Sequence, residues 1–70
     1  MLKVIKVVNH HNEPLQGIHV RTYVDATSSL TNHLGEVTLF LSPKDAIFIN
    51  DILRWKGDSQ DIKEHIVLTI

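Results

Sequence analysis

Apolar and polar residues alternate with a period of two through most of the chain, and turn-forming residues interrupt the alternation at intervals. The cleanest run follows Asn12-Glu13-Pro14-Leu15-Gln16-Gly17. Ile18, Val20, Thr22 and Val24 fall on one side, and His19, Arg21, Tyr23 and Asp25 on the other. A period of two over that length predicts a strand with one buried face. The turn before it has its own logic. Pro14 presets φ and pushes Glu13 towards extended geometry, while Gly17 takes a positive φ that a side chain would resist. The second clean run is Glu36 to Leu41, with Val37, Leu39 and Leu41 on one face and Glu36, Thr38 and Phe40 on the other. It follows Asn32-His33-Leu34-Gly35, where Gly35 supplies the positive φ of a tight connection.

The other segments follow the same rule with less clarity. Leu2 to Val8 is apolar on both faces, because Val4 and Val8 share one phase with Lys6 while Ile5 and Val7 share the other with Lys3. That pattern predicts a strand between two covered faces, lysines that snorkel, or a face covered by another chain. Ala26 to Ser29 reads as a loop or an irregular edge and Leu30-Thr31 as a short strand. Ser42-Pro43-Lys44-Asp45 is a turn, since proline has no place in a central ladder. Ala46 to Asn50 is a strand with Ile47 and Ile49 facing one way and Phe48 the other. Asp51 to Gly57 leaves two readings: a short sixth strand, or one irregular turn that tucks Trp55 over the end of the core. Asp58 to Asp61 is a loop, and Ile62 to Glu64 a single turn or an approach to the last strand. His65 to Ile70 closes the chain, with Ile66, Leu68 and Ile70 in phase and Val67 and Thr69 opposite. Short strands separated by turn signals predict an all-β sandwich or barrel.

The two clean runs carry a more specific likeness. The pattern x-Glu-Pro-Leu-x-Gly-(Ile/Val)-x-Val is met by Glu13, Pro14, Leu15, Gly17, Ile18 and Val20. The pattern Thr-(Asn/Asp)-x-x-Gly-x-(Val/Phe)-x-Leu is met by Thr31, Asn32, Gly35, Val37 and Leu39. With a valine-rich strand ahead of them, these segments resemble the carboxypeptidase regulatory-like domain family, a branch of the transthyretin-like sandwiches. Ile47 to Trp55 is similar to that family's pair of short strands ending in a Gly-aromatic dipeptide, with Arg54 in the place of the glycine. The resemblance implies a small Greek-key β-sandwich of about seven short strands with no active site of its own, serving as a folding, spacing or docking module. An enzymatic branch, the hydroxyisourate hydrolases, uses histidines, an arginine and a C-terminal Tyr-Arg-Gly-Ser. This chain has Val67-Leu68-Thr69-Ile70 there, and Ile5 where alignment on Pro14 puts a first-strand histidine, so that activity is not expected.

Composition narrows the picture further. Seventy residues make one domain, 1–70, and a chain so short buries only about 60% of the surface its unfolded form exposes. Disulfides and thiolate metal sites are excluded by the absence of cysteine, which leaves association as the expected stabiliser and makes a protein partner or a homo-oligomer the first expectation. Seven basic against eight acidic residues, scattered along the chain, lack the clustered positive charge of a nucleic-acid or polybasic membrane footprint. No apolar run reaches the length of a membrane span, and Lys6 interrupts what would be a signal-peptide core. The expected setting is the cytosol, a particle, or the mature part of something longer.

Candidate chemistry is sparse. Of the five histidines, His10 and His11 are adjacent and point to opposite faces of a strand, and none of His10, His11, His19, His33 and His65 shows a local zinc-site spacing. No serine sits in a nucleophile elbow, and Asp45, Asp51, Asp58 and Asp61 lie at turns, where aspartate caps the backbone. No catalytic residue, metal site or cofactor is expected. Outward apolar positions are more informative: Tyr23, Phe40, Phe48 and Val67 stand opposite the predicted core faces and are the interface candidates. The first expectation is therefore a non-enzymatic module that self-associates or docks into a larger assembly, such as a surface structure or a virus particle. The alternative is a small-ligand or carbohydrate-binding module with Trp55 and Tyr23 as stacking platforms.

Overall fold

A computed structural model describes all residues from Met1 to Ile70. Seven strands form: β1 (Leu2–Val8), β2 (His19–Thr22), β3 (Ser29–Leu30), β4 (Glu36–Phe40), β5 (Lys44–Ile49), β6 (Ile52–Asp58) and β7 (His65–Thr69), with a 3-10 turn at Ser59–Asp61. They make a sandwich of two sheets, ordered β4-β1-β7 and β3-β2-β5-β6. β1 runs antiparallel to β4 and parallel to β7, while every pair in the larger sheet is antiparallel. Only the β2–β3 and β5–β6 connections stay within a sheet, and the others cross between the two layers. As a result β1 is central in space although it comes first in sequence.

The inward phases meet in one core of Ile5, Val7, Val20, Leu41, Ile47, Ile49 and Ile62, with Trp55, Val37, Leu39, Ile66, Leu68 and Ile70 packed against it. Lys3 shares the inward phase of Ile5 and Val7. Its ammonium escapes past the end of the core to donate to the carbonyls of Ile62, at 2.6 Å, and Lys63. The two-faced pattern of β1 thus includes a lysine that snorkels, and Val8 is buried in the other phase, where the chain returns through a bridge to Pro14.

The two motif segments hold each other. Thr31, 3% exposed, donates its hydroxyl to the Leu15 carbonyl at 2.6 Å and accepts from the Ile18 N–H at 3.0 Å. Backbone bonds from Gly17 to Thr31 and from Thr31 to Ile18 complete the clasp. Gly35 sits at the same junction with φ +73, and a Cβ there would lie 2.7 Å from the Val7 carbonyl oxygen and 3.0 Å from the Leu15 nitrogen. A positive φ and a close backbone approach coincide, so only glycine fits.

Three segments depart from the alternation. The period-two run extends to Asp25, but β2 stops at Thr22. The Thr22 hydroxyl accepts from the Asp25 N–H at 3.0 Å and Asp45 Oδ1 accepts from the Val24 N–H at 3.3 Å, so side chains replace ladder partners. Val24, in phase with the core, consequently ends 60% exposed. Asp51 to Gly57, ambiguous in sequence, is mostly strand. Asn50 (φ 51) and Asp51 (φ 65) are both left-handed and form a two-residue hairpin turn of the primed type between β5 and β6. A register shift opposite Ile47 and Phe48 accommodates Arg54. Finally, the predicted loop at Asp58 to Asp61 is a 3-10 turn whose Ser59 is fully buried and donates to the Ser42 carbonyl at 2.7 Å. This anchor delivers Ile62 to the core.

Candidate functional site

With the inward residues committed to the core, the outer faces of the two sheets remain, and they differ in chemistry. On the three-stranded sheet β1 presents Leu2, Val4 and Lys6, β4 presents Glu36, Thr38 and Phe40, and β7 presents His65, Val67 and Thr69. Register sets Leu2 opposite Phe40, Val4 between Thr38 and His65, and Lys6 between Glu36 and Val67. Leu2 is 70% exposed, Phe40 65% and Val67 54%. Their apolar groups therefore share one open face with a single opposite-charge pair of neighbours, Lys6 and Glu36.

On the four-stranded sheet the chain covers its own aromatic. Register sets Arg21 opposite Phe48, and the guanidinium carbon lies 4.2 Å from the ring centroid. Arg21 Nε also donates to Asp51 Oδ1 at 3.1 Å, which ties the strand to the β5–β6 turn. Beside this stack runs a groove of about 670 Å³ with Tyr23, Phe48 and Leu53 on its apolar side and Lys44, Lys56 and Asp58 among its polar groups.

The four interface candidates thus divide between two surfaces, Phe40 and Val67 on one sheet and Tyr23 and Phe48 on the other. Trp55 is opposite Ile47 and packs, half-buried, against the core from the inside of the sandwich. Tyr23, 71% exposed, stands on the outside of the same sheet, so the two stacking candidates are not brought together. Leu2, Arg21 and Leu53 join these surfaces without having been singled out in sequence. The phase of Leu2 with Val4 was a usable signal for its face, whereas the pairing of Arg21 with Phe48 is long-range and left no local trace.

Polar side chains in the interior are all used by the fold. Asp45, 6% exposed, accepts through Oδ1 from the N–H groups of Tyr23, Val24 and Ala46 and through Oδ2 from Ser42. No buried side-chain nitrogen or oxygen lacks a partner. All five histidines are exposed, and no three His, Asp or Glu side chains converge to hold a metal ion. No helix is long and apolar enough to cross a membrane. No protein-family model matches the chain, and no curated protein and no solved structure matches it significantly.

Proposed function

We propose that this chain is a non-enzymatic docking module, a transthyretin-like Greek-key sandwich akin to the carboxypeptidase regulatory-like domains, which holds a protein surface against its three-stranded sheet. The observation that carries this function is the open face around Leu2 and Phe40, two large apolar side chains set opposite each other and left mostly in water. Contiguous apolar groups on one sheet face are what a partner surface covers, and isolated ones are not. The fold family is supported by the seven strands in two sheets and by the mutual packing of the Glu13 to Val20 and Thr31 to Leu39 segments. In such a module the binding energy comes from the face, and the charged neighbours Lys6 and Glu36 set orientation.

Mass in solution, compared between the wild type, Phe40→Ser and Phe48→Ser, tests the assignment. Association that Phe40→Ser weakens and Phe48→Ser leaves intact supports it. A strictly monomeric chain, with both variants soluble and no less able to join any assembly, overturns it. One observation favours a second function: the groove beside Tyr23, Phe48 and Leu53 has the mixed aromatic and charged lining of a small-ligand or carbohydrate subsite. A glycan array with Tyr23→Ala as control separates the two functions.

A further inference from the structure

A sheet edge offers unpaired N–H and C=O groups to any strand that can reach it, and natural proteins blunt such edges. Three of the four edges here are blunted. β3 is only two residues long. On β4 the Glu36 N–H and carbonyl are taken by Asn32, which leaves two residues of open edge. β6 carries Arg54, Lys56 and Asp58 and a register shift. β7 has none of these protections. Its residues His65-Ile66-Val67-Leu68-Thr69 include no lysine, proline, acidic residue or bulge.

The bonding phase of β7 follows from its two ends. Val4 donates to the Glu64 carbonyl and Ile70 donates to the Val8 carbonyl, so the even-numbered residues face β1. His65, Val67 and Thr69 therefore aim their N–H and C=O groups at the open edge. That row is self-complementary. Two copies related by a two-fold axis through Val67 set Val67 against Val67 and His65 against Thr69, with every edge group meeting a partner of the opposite kind. The contact brings no fixed like charges together, and the chain's net charge is only −1. Along this edge Ile66, Leu68 and Ile70 on the inner side of β7 are only partly buried, like Val37 and Leu39 at the β4 edge. The proposed pairing sets Ile66 beside the partner's Leu68 and closes that flank.

We infer that β7 pairs antiparallel with β7 of a second copy of this chain, joining two three-stranded sheets into one six-stranded sheet. The inference rests on the docking function above and names its partner. It also makes the apolar outer faces continuous, because Val67 belongs to both the edge and the face. A standard interface covers about 800 Å² per partner, under a fifth of this chain's 4520 Å², and an edge-to-edge contact lies below that, so the dimer is concentration-dependent.

The experiment is sedimentation of the wild type, Val67→Pro, Val67→Lys and Phe40→Ser over a range of concentration, with amide hydrogen exchange on the wild type. The expected wild-type mass rises towards twice 8.0 kDa. Val67→Pro removes an N–H that β1 does not use, so it is expected to keep the wild-type circular dichroism and lose the dimer. Val67→Lys sets two ammonium groups against each other and is expected to do the same. The amides of His65, Val67 and Thr69 gain protection with concentration. Dimerisation undiminished in both Val67 variants, or edge amides that exchange at every concentration like exposed ones, overturns the edge pairing. If Phe40→Ser alone dissociates the wild-type assembly, the edge pairing fails and the docking face stands. A wild type that is monomeric throughout overturns the edge pairing alone, because the docking face can still hold a different protein.

Discussion

Phe40 and Phe48 occupy the same kind of position, outward on a strand whose alternate residues build the core, yet one is bare and the other is covered. The difference lies in the residue that register sets opposite each. Phe48 faces Arg21, whose guanidinium stacks on the ring and is held there by Asp51. Phe40 faces Leu2, which adds apolar surface instead of hiding it. An outward aromatic is therefore a docking group or a self-satisfied one according to its cross-strand neighbour, and that neighbour is tens of residues away in the chain.

The largest expected effect comes from breaking the register that makes the comparison. Gly35→Ala forces a Cβ to within 2.7 Å of the Val7 carbonyl at a positive φ, at the junction that aligns β1 with β4. A cost of about 3 kcal/mol or more is expected in urea denaturation. Gly17→Ala is the control, since it has a similar φ of +75 but open space around it, and about 1 kcal/mol is expected there. An equal cost at both positions would show that strain alone, and not the contact with β1, governs Gly35. Thr31→Val comes next. It leaves the Leu15 carbonyl and the Ile18 N–H without their hydroxyl partner inside the clasp, at a cost of about 1–3 kcal/mol by the same measurement.

The faces themselves are sharpened by a smaller pair of effects. Phe48→Ser removes a ring shielded by Arg21 and Leu53, and a loss of about 1–2 kcal/mol is expected. Phe40→Ser removes a ring that is 65% exposed, and its stability stays within about 0.5 kcal/mol of the wild type under conditions where the chain is monomeric. Reversal of that order would mean that the open face is covered by the chain's own residues. The changes that uncover Phe48 are small as well. Arg21→Ala is expected to cost about 0.5–1 kcal/mol through the lost cation–π contact. Asp51→Asn is expected to cost about 0.5 kcal/mol or less, because Asp51 is 83% exposed and its ion pair lies in water.

Much of this architecture is visible in short-range pattern. The phases of Val37, Leu39 and Leu41, of Ile47 and Ile49, and of Ile66, Leu68 and Ile70 put those residues on the core side, because a pleated strand leaves no other arrangement when one face is buried. The Asn50-Asp51 hairpin departs from the sequence reading, which carries a strand through Asn50, although both residue types tolerate the left-handed turn that a two-residue connection demands. Val24 and Trp55 mark the limit. Val24 keeps the period of its strand but lies beyond the point where Thr22 and Asp45 take over the backbone hydrogen bonds. Trp55 had two placements until the hairpin put it opposite Ile47.

Alone, the sequence determined an all-β chain, most of the strand positions within a few residues, most of the inward phases and the need for glycine at tight turns, all of which follow from backbone sterics and nearest-neighbour periodicity. Tertiary structure decided which strands are neighbours. That choice joined Leu2 to Phe40 and Arg21 to Phe48, split the outward candidates between two faces, and left β7 as the one unblunted edge. Pairing depends on how two layers close over a shared core, a long-range balance of buried area and backbone satisfaction that no local stretch contains.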